Sequence, residues 1–192
     1  MDLGNLTLIT TRNTCNKNCP FCIAKSAGKI YNEIIKSKDE FVNFEGILQN
    51  LENNDIRFNR LVISGNGEPS FYSFEEIALI IETIKRHINM FNGIRIHTSG
   101  NIFYNEEKFN LFNNIENIEF DILRVSLNSK KDMEILRYDK DYTKTKLFKL
   151  AKKIKLDIAL TDIIEYENFA KELNDYIENY PNIKIIRLKE LL

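Results

Sequence analysis

Apolar runs that suit β-strands alternate with helical patterns from one end of the sequence to the other. One helix start stands out, because Ser73 and Glu76 form the pattern of a capping box. Alternation of this kind favours a parallel sheet with right-handed crossover helices. The predicted strands span residues 6–10, 60–64, 94–98, 122–127, 156–164 and 183–188.

Six βα units are too few to close an eight-stranded barrel. The expected fold class is therefore α/β, as a partial (β/α)6 barrel of the TIM type with parallel strands. A flat, doubly wound sheet stays open as an alternative, because periodicity alone cannot separate the two. With 192 residues and no linker-like or low-complexity stretch, residues 1–192 are expected to form a single domain.

The charge balance gives no global attraction to nucleic acid or to an anionic membrane. The chain has 27 basic and 28 acidic residues and a net charge of -1. The lysine cluster at 152–155 is more typical of a solvated helix end than of a nucleic-acid patch. No apolar run reaches the roughly 18–20 residues that span a bilayer, and nothing near Met1 resembles a signal peptide. We therefore expect a cytoplasmic protein without membrane or nucleic-acid partners.

All the cysteines are crowded into one short segment, as Cys15, Cys19 and Cys22. An odd, clustered set is a poor disulfide framework and indicates a metal site. Three thiolates can ligate three irons of a cubane cluster and leave the fourth iron open. A zinc site of three Cys and one His is the alternative, with His87 or His97 as its fourth ligand. His87 falls on a predicted helix as a solvated side chain, His97 falls in a strand, and an incidental grouping of the cysteines also stays open.

A second motif, Ser64-Gly65-Asn66-Gly67-Glu68-Pro69, follows the second predicted strand. By itself it reads as an ordinary Gly/Asn/Pro turn. Together with the CxxxCxxC loop after the first strand, in which Phe21 precedes the last cysteine, it resembles the radical S-adenosylmethionine (SAM) superfamily. The resemblance implies a [4Fe–4S] cluster on Cys15, Cys19 and Cys22, which makes these the metal ligands and the catalytic residues. It implies that SAM chelates the open iron and is cleaved by an electron from the cluster. The resulting 5′-deoxyadenosyl radical then abstracts hydrogen from an organic substrate.

The resemblance also implies a set of residues that contact SAM. Gly67 would let the backbone approach its methionine end, and Glu68 would accept a hydrogen bond from its ammonium group. Polar residues at the ends of the third and fourth strands would complete the site, although strand-end turn chemistry explains them equally well. All would share the carboxyl-end face of the strands, where barrel active sites lie. The full implied set is Phe21, Gly65, Gly67, Glu68, Thr98, Ser99, Ser126, Asn128 and Arg137.

The substrate is the least constrained part of the prediction. With no cysteine beyond Cys22, the chain cannot hold auxiliary clusters on cysteine. An open, six-stranded barrel predicts a lateral cleft suited to a peptide or other large substrate, which would contact Thr161, Asp162, Arg187 and Lys189. Members of this family take their electron from a donor such as flavodoxin or ferredoxin. The alternative function is a zinc or iron–sulfur binding module without catalysis.

Overall fold

Six parallel strands form one sheet in which spatial order follows sequence order. The computed structural model describes residues 2–10, 15, 17, 19, 22, 43–65, 67–160 and 166–190. A doubly wound sheet reverses its strand order at a switch point, and this sheet does not. The partial (β/α)6 barrel is therefore confirmed. The strands are β1 (Asp2–Thr10), β2 (Arg57–Gly65), β3 (Ile94–Thr98), β4 (Ile118–Arg124), β5 (Ile154–Leu160) and β6 (Ile183–Glu190).

Helices follow the strands within the described ranges, and α2 shows why the sequence starts them where it does. The Ser73 hydroxyl accepts from the backbone N–H of Glu76, and the Glu76 carboxylate accepts from the backbone N–H of Ser73, which completes the predicted capping box. None of the described helices is long and apolar enough to cross a membrane. The helices are α1 (Phe44–Asn53), α2 (Phe74–Arg86), α3 (Glu106–Asn113), α4 (Ser129–Leu136), α5 (Lys146–Leu150) and α6 (Tyr166–Asn179).

Three expectations from the sequence are wrong in detail. The fourth strand ends at Arg124 rather than at residue 127, because the chain turns there to enter α4, which the sequence analysis missed. Lys155 is a buried residue of β5 and not part of a solvated helix end. His87 is also buried, because Glu45 and Glu52 of α1 bind its two ring nitrogens.

The outer face of the sheet is apolar and forms the core with the helices. One row of register partners crosses all six strands and contains only aliphatic and aromatic side chains. These side chains join one hydrophobic cluster with Ile77 and Ile81 of α2 and Phe109 of α3. The row is Leu8, Ile63, Ile96, Phe120, Ile154 and Ile183.

From β3 to β6, the inner face of the sheet carries charged side chains at positions that alternate with the apolar row. Parallel strands are usually apolar on both faces, so this alternation marks a face that lines a cavity. His97, Asp121 and Lys155 are register partners across β3, β4 and β5, and the Lys155 ammonium lies 2.5 Å from the Asp121 carboxylate. Further ion pairs extend this inner-face network, which we define as Arg95, His97, Glu119, Asp121, Lys153, Lys155, Asp157, Arg187 and Lys189.

Asp157 holds the β5–β6 half of the inner-face network together. Its carboxylate lies 2.9 Å from the Lys155 ammonium and 2.5 Å from both the Arg187 guanidinium and the Lys189 ammonium. Burial by itself raises the pKa of Asp157, but hydrogen bonds from Arg187, Lys189 and Lys155 outweigh it and hold that pKa well below its usual range. The ionised carboxylate therefore stabilises the folded sheet.

An aromatic cluster packs under the loop that follows β3. Phe103 and Phe148 contact the ring of Tyr142, with ring centroids 6.0 and 5.7 Å away. Gly100 lies against the face of the same ring and has a φ of 98°, in the left-handed region. A Cβ at this position would overlap the Tyr142 ring, so both the space and the backbone conformation require glycine.

Gly100→Ala is expected to destabilise the fold by on the order of 2–3 kcal/mol, because it combines overpacking with a left-handed alanine. Urea unfolding measures the effect. Gly4→Ala is the matched control, since a Cβ on this exposed β1 glycine meets nothing within 4 Å. Equal free energies of unfolding for the two variants would contradict the packing described here.

Asp157→Asn is expected to lower the free energy of unfolding at pH 7 by about 3 kcal/mol, because it leaves three cations without their carboxylate. A depressed folded-state pKa adds stability above the ordinary Asp pKa of about 4, and this stability is lost as pH falls through the folded-state pKa. The difference between wild type and variant should therefore shrink below about pH 4. Denaturant unfolding at a series of pH values measures it, with exposed Asp175→Asn as the control. A difference that stays constant down to pH 3 would show that Asp157 is not held ionised by its partners.

Candidate active site

A cavity of about 250 Å³ lies at the carboxyl ends of the strands. It brings together five residues that the sequence analysis predicted for one site: Cys15, Gly67, Glu68, Thr98 and Ser99. Cys15 follows β1, Gly67 and Glu68 follow β2, and Thr98 ends β3, so three neighbouring strand ends build one wall. The remaining lining residues are His97, Asp121, Leu123, Asp157 and Lys189.

Glu68 is the most firmly held polar side chain of this wall. It is 2 % exposed, and its Oε1 atom accepts hydrogen bonds from the Thr98 hydroxyl at 2.7 Å and the Ser70 backbone N–H at 3.3 Å. Its Oε2 atom accepts from the backbone N–H of Ser99. The carboxylate thereby ties the turn after β2 to the end of β3. Glu68 therefore has two roles: its carboxylate accepts the hydrogen bonds that hold the turn after β2, and it also lines the cavity.

The three cysteines lie on the segment that follows β1. Cys15 is exposed, Cys19 and Cys22 are half-buried, and the Cys22 backbone N–H donates to the Cys19 carbonyl oxygen. Desolvation raises the thiol pKa of both Cys15 and Cys19, even though part of the Cys15 surface is exposed. Charge on the neighbouring thiols raises both values further, whereas the ammonium of Lys17 lowers them. Phe21 lies outside the described residues.

The donor set fits an iron–sulfur cluster better than a hard cation, because it consists of soft thiol ligands beside a buried ammonium group. Thiolates are the ligating form, and a nearby cation favours them. In the described part of the chain, no three His, Cys, Asp or Glu side chains converge as a preformed metal site. The fit therefore rests on the three thiols and on the position of Cys15 at the cavity wall.

Lys17 anchors the cysteine segment to the rest of the fold. It is buried, and its ammonium nitrogen lies 4.4 Å from the ring centroid of Tyr138 and 5.1 Å from that of Tyr142. Cation–π contacts of this kind are worth about 0.5–2 kcal/mol each, and more when desolvated. The residue between Cys15 and Cys19 is thus docked on the segment after α4. The sequence analysis did not predict this role of Lys17, because the sequence alone does not show whether a lysine between cysteines is solvated or buried.

A second buried polar cluster holds Tyr138, the residue against which Lys17 packs, in place. The Arg124 guanidinium is fully buried and donates to the Ser126 carbonyl oxygen at 3.0 Å and to the Tyr176 hydroxyl at 2.9 Å. Asp132 accepts from the Val125 backbone N–H at 2.8 Å and from the Tyr138 hydroxyl. These bonds force the chain to turn after β4 and hold Tyr138 under Lys17.

Four of the predicted SAM contacts do not line the cavity. The Asn128 side chain caps α4 by accepting from the backbone N–H groups of Lys130 and Lys131, and the Ser126 hydroxyl accepts from the Asn128 backbone N–H. Arg137 is exposed at the end of α4, and Gly65 is the exposed last residue of β2. The side-chain roles of Ser126 and Asn128 are those of a turn and a cap, and a role toward SAM for any of the four stays a prediction.

Three cavity residues were not assigned to the site from sequence, namely Asp121, Leu123 and Asp157, and His97 was considered only as a ligand of the alternative zinc site. His97 Nδ1 lies 2.9 Å from the Ser64 hydroxyl, and its Nε2 lies 3.4 Å from the Asp121 carboxylate. A signal was present for His97, Asp121 and Asp157, because charged or polar residues alternate with aliphatic ones in β3, β4 and β5. That period of two identifies an inward, polar face in strands otherwise expected to be apolar throughout.

Solved structures with this fold include several of SuiB from Streptococcus suis. The SuiB structure bound to the precursor peptide SuiA has a TM-score of 0.68 and 18% identity, covering 98% of this chain and 39% of that one. The structure bound to S-adenosylmethionine has a TM-score of 0.63 and 19% identity, covering 98% and 38%. A third SuiB structure has a TM-score of 0.66 and 18% identity, covering 100% and 40%. This chain thus spans about two fifths of the SuiB length.

No curated protein matches the sequence. The family model described as the radical SAM superfamily matches residues 9–176, which is well over half of the chain. That range contains the cysteine segment, the Gly67–Glu68 turn and the cavity residues up to Asp157. The chain therefore belongs to the radical SAM superfamily, a superfamily of enzymes that act through S-adenosylmethionine.

Proposed function

We propose that this chain holds one [4Fe–4S] cluster on Cys15, Cys19 and Cys22, binds SAM beside it, and abstracts hydrogen from a peptide substrate. The observation that carries the proposal is the shared cavity of Cys15, Gly67 and Glu68. Residues from two separate sequence motifs, one βα unit apart, meet at one strand-end wall. Membership of the superfamily supports the same chemistry.

When bound, the cluster supplies the electron that cleaves SAM to methionine and a 5′-deoxyadenosyl radical. The protein's own part is to bind and orient. Gly67 lines the cavity without a side chain, so its backbone can approach SAM closely. Glu68 presents a carboxylate already fixed by Thr98 and Ser99, so accepting the SAM ammonium requires little rearrangement of the side chain. Lys17 holds the cysteine segment against Tyr138 while SAM is bound.

A peptide is the proposed substrate because two polar side chains that line the cavity stay partly open to solvent. His97 and Lys189 line it while remaining partly exposed, which leaves an entrance for a chain-like molecule. A protein of similar fold, SuiB, has been crystallised with a precursor peptide. Of the four substrate contacts expected from sequence, Lys189 lines the cavity, Arg187 pairs with Asp157, and Thr161 and Asp162 lie outside the described residues. Flavodoxin or ferredoxin is the proposed electron donor, and the cytoplasm the proposed compartment.

Anaerobic reconstitution with iron and sulfide, followed by addition of SAM and a strong reductant, tests the proposal. Near-stoichiometric iron and sulfide and release of 5′-deoxyadenosine are expected. A colourless protein that takes up zinc instead, and never cleaves SAM, would support the non-catalytic module. His97 would be the histidine to examine then, because it shares the cavity with Cys15.

Each of the substitutions Cys15→Ala, Cys19→Ala and Cys22→Ala is expected to abolish stable cluster binding. A cubane with three protein thiolates has no ligand to spare, so any single loss exposes a second iron. Iron and sulfide analysis with visible absorption spectroscopy measures the loss, and Thr7→Ala on the exposed part of β1 is the control. A full complement of iron and sulfide in any one cysteine variant would rule out this ligand set.

Glu68→Gln is expected to weaken SAM binding by roughly ten- to hundredfold, the cost of about 1.5–3 kcal/mol for a lost charged hydrogen bond. Glutamine is preferred to alanine because its amide oxygen can still accept from Thr98 and Ser70, which keeps most of the β2–β3 connection, whereas its amide nitrogen can no longer accept from the Ser99 N–H. Calorimetric titration of the reconstituted protein with SAM measures the effect. Cluster content should not change, and exposed Glu116→Gln should leave SAM affinity intact. An unchanged dissociation constant in Glu68→Gln would remove Glu68 from the SAM site.

A further inference from the structure

The β5–β6 end of the inner-face network carries a local excess of positive charge that the whole chain does not. Lys155, Arg187 and Lys189 pair with the carboxylates of Asp121 and Asp157, which makes three cations and two carboxylates among the described residues. The complete sequence, by contrast, has a net charge of -1. The cavity lining carries Glu68, Asp121 and Asp157 beside Lys189, so the cationic surplus is confined to β6. A local surplus of this kind attracts anions.

The carboxylates at the carboxyl end of this network are buried beneath the cations. The side chains of Asp121 and Asp157 are 5% and 2% exposed, whereas those of Arg187 and Lys189 are 48% and 39% exposed. Lys155 is buried between the two carboxylates and bridges them. The guanidinium and ammonium groups are therefore more accessible to a ligand than the two carboxylates. The negative charges serve to hold those groups in place.

Arg187 and Lys189 keep donors for a second anion. Arg187 uses Nε, at 3.0 Å, and Nη2, at 2.5 Å, for the Asp157 carboxylate. A guanidinium has five N–H donors and an ammonium has three, so neither side chain is saturated by one carboxylate. A second carboxylate can bind across the two groups without displacing Asp157.

We propose that Arg187 and Lys189 form a subsite that binds an acidic side chain of the peptide substrate. This inference rests on the proposed function, because it names the chemistry of the substrate of that same cavity. Lys189 and Asp157 share the cavity with Cys15 and Glu68, so an anion held at β6 places the rest of the peptide toward the strand ends of β1 to β3. Specific recognition of a carboxylate by a guanidinium is geometric as well as electrostatic.

The test is a binding titration on the protein before cluster reconstitution, so that it does not depend on SAM cleavage. The probes are the peptides acetyl-Glu-Glu-Glu-amide and acetyl-Gln-Gln-Gln-amide, followed by calorimetry at low salt. The glutamate peptide should bind at least about fivefold more tightly than the glutamine peptide, and added salt should reduce that advantage. Lys189→Gln and Arg187→Gln should each raise its dissociation constant by about tenfold, the effect of losing roughly 1.4 kcal/mol.

Controls separate the subsite from general charge and from misfolding. Lys184→Gln removes a cation from the same strand, where its ammonium binds the Pro181 carbonyl oxygen, and should leave affinity unchanged. Lys189→Arg keeps the charge and should retain the affinity of wild type. Thermal unfolding checks that Arg187→Gln and Lys189→Gln remain folded, since each leaves Asp157 with two cations.

Three results would overturn the subsite. The first is equal affinity for the two peptides, and the second is an unchanged dissociation constant in folded Lys189→Gln and Arg187→Gln. The third is binding of inorganic phosphate as tight as that of the glutamate peptide, because it would indicate a general anion site. None of these results bears on cluster binding or SAM cleavage, which are measured separately on the reconstituted protein. Failure of cluster reconstitution would overturn the proposed function but would not change the result of this peptide titration, which is measured before reconstitution.

Discussion

The inner face of the sheet has to neutralise its own charges, because its carboxylates lie out of contact with solvent. Asp121, Asp157 and Lys155 are all buried, and a buried ion without a partner costs several kcal/mol. Mutual pairing offsets that cost only where the strands keep their register. A slip of one residue in β5 would turn Lys155 and Asp157 toward the hydrophobic core and Leu156 toward the cavity. The network therefore opposes alternative pairings of β4, β5 and β6 as strongly as the apolar row on the other face does.

A different pair of contacts determines where the cysteine segment lies. The described contact that ties this segment to the segment after α4 runs through the side chain of Lys17. Lys17 reaches the rings of Tyr138 and Tyr142, and Tyr138 is held by Asp132, which also turns the chain after Arg124. The geometry of the candidate metal site therefore depends on residues more than one hundred positions away in the sequence. It depends also on Gly100, whose lack of a side chain admits the Tyr142 ring.

Sequence periodicity was sufficient to locate the six strands but not to choose between a barrel and a doubly wound sheet, because strand order depends on non-local packing. Local patterns also located the residues that follow β1, β2 and β3. Cys15, Gly67, Glu68, Thr98 and Ser99 were found from motifs and strand ends, and they share one cavity. The fourth strand end was misjudged for a non-local reason. Apolar Val125 and Leu127 extend the strand pattern, whereas Asp132 binds the backbone of residues 125 and 126 from the following helix. His87 and Lys155 were misjudged likewise, since their partners come from α1 and from β4.

The two ends of the cavity differ in how firmly their polar groups are held, and this difference matches the two molecules that the cavity is proposed to bind. Glu68 is almost fully buried and accepts three hydrogen bonds, so its carboxylate has one position to offer. Arg187 and Lys189 are long side chains, partly exposed on the edge strand, and each can move while staying near Asp157. A fixed acceptor suits a ligand that is the same in every turnover, because no ordering free energy is spent on binding it. Mobile cations suit a peptide, whose side chains must be brought to the reacting position from a flexible chain. Under the proposed function, a rigid wall after β1 to β3 would hold the constant cofactor and the more adaptable side chains of β6 would hold the variable substrate.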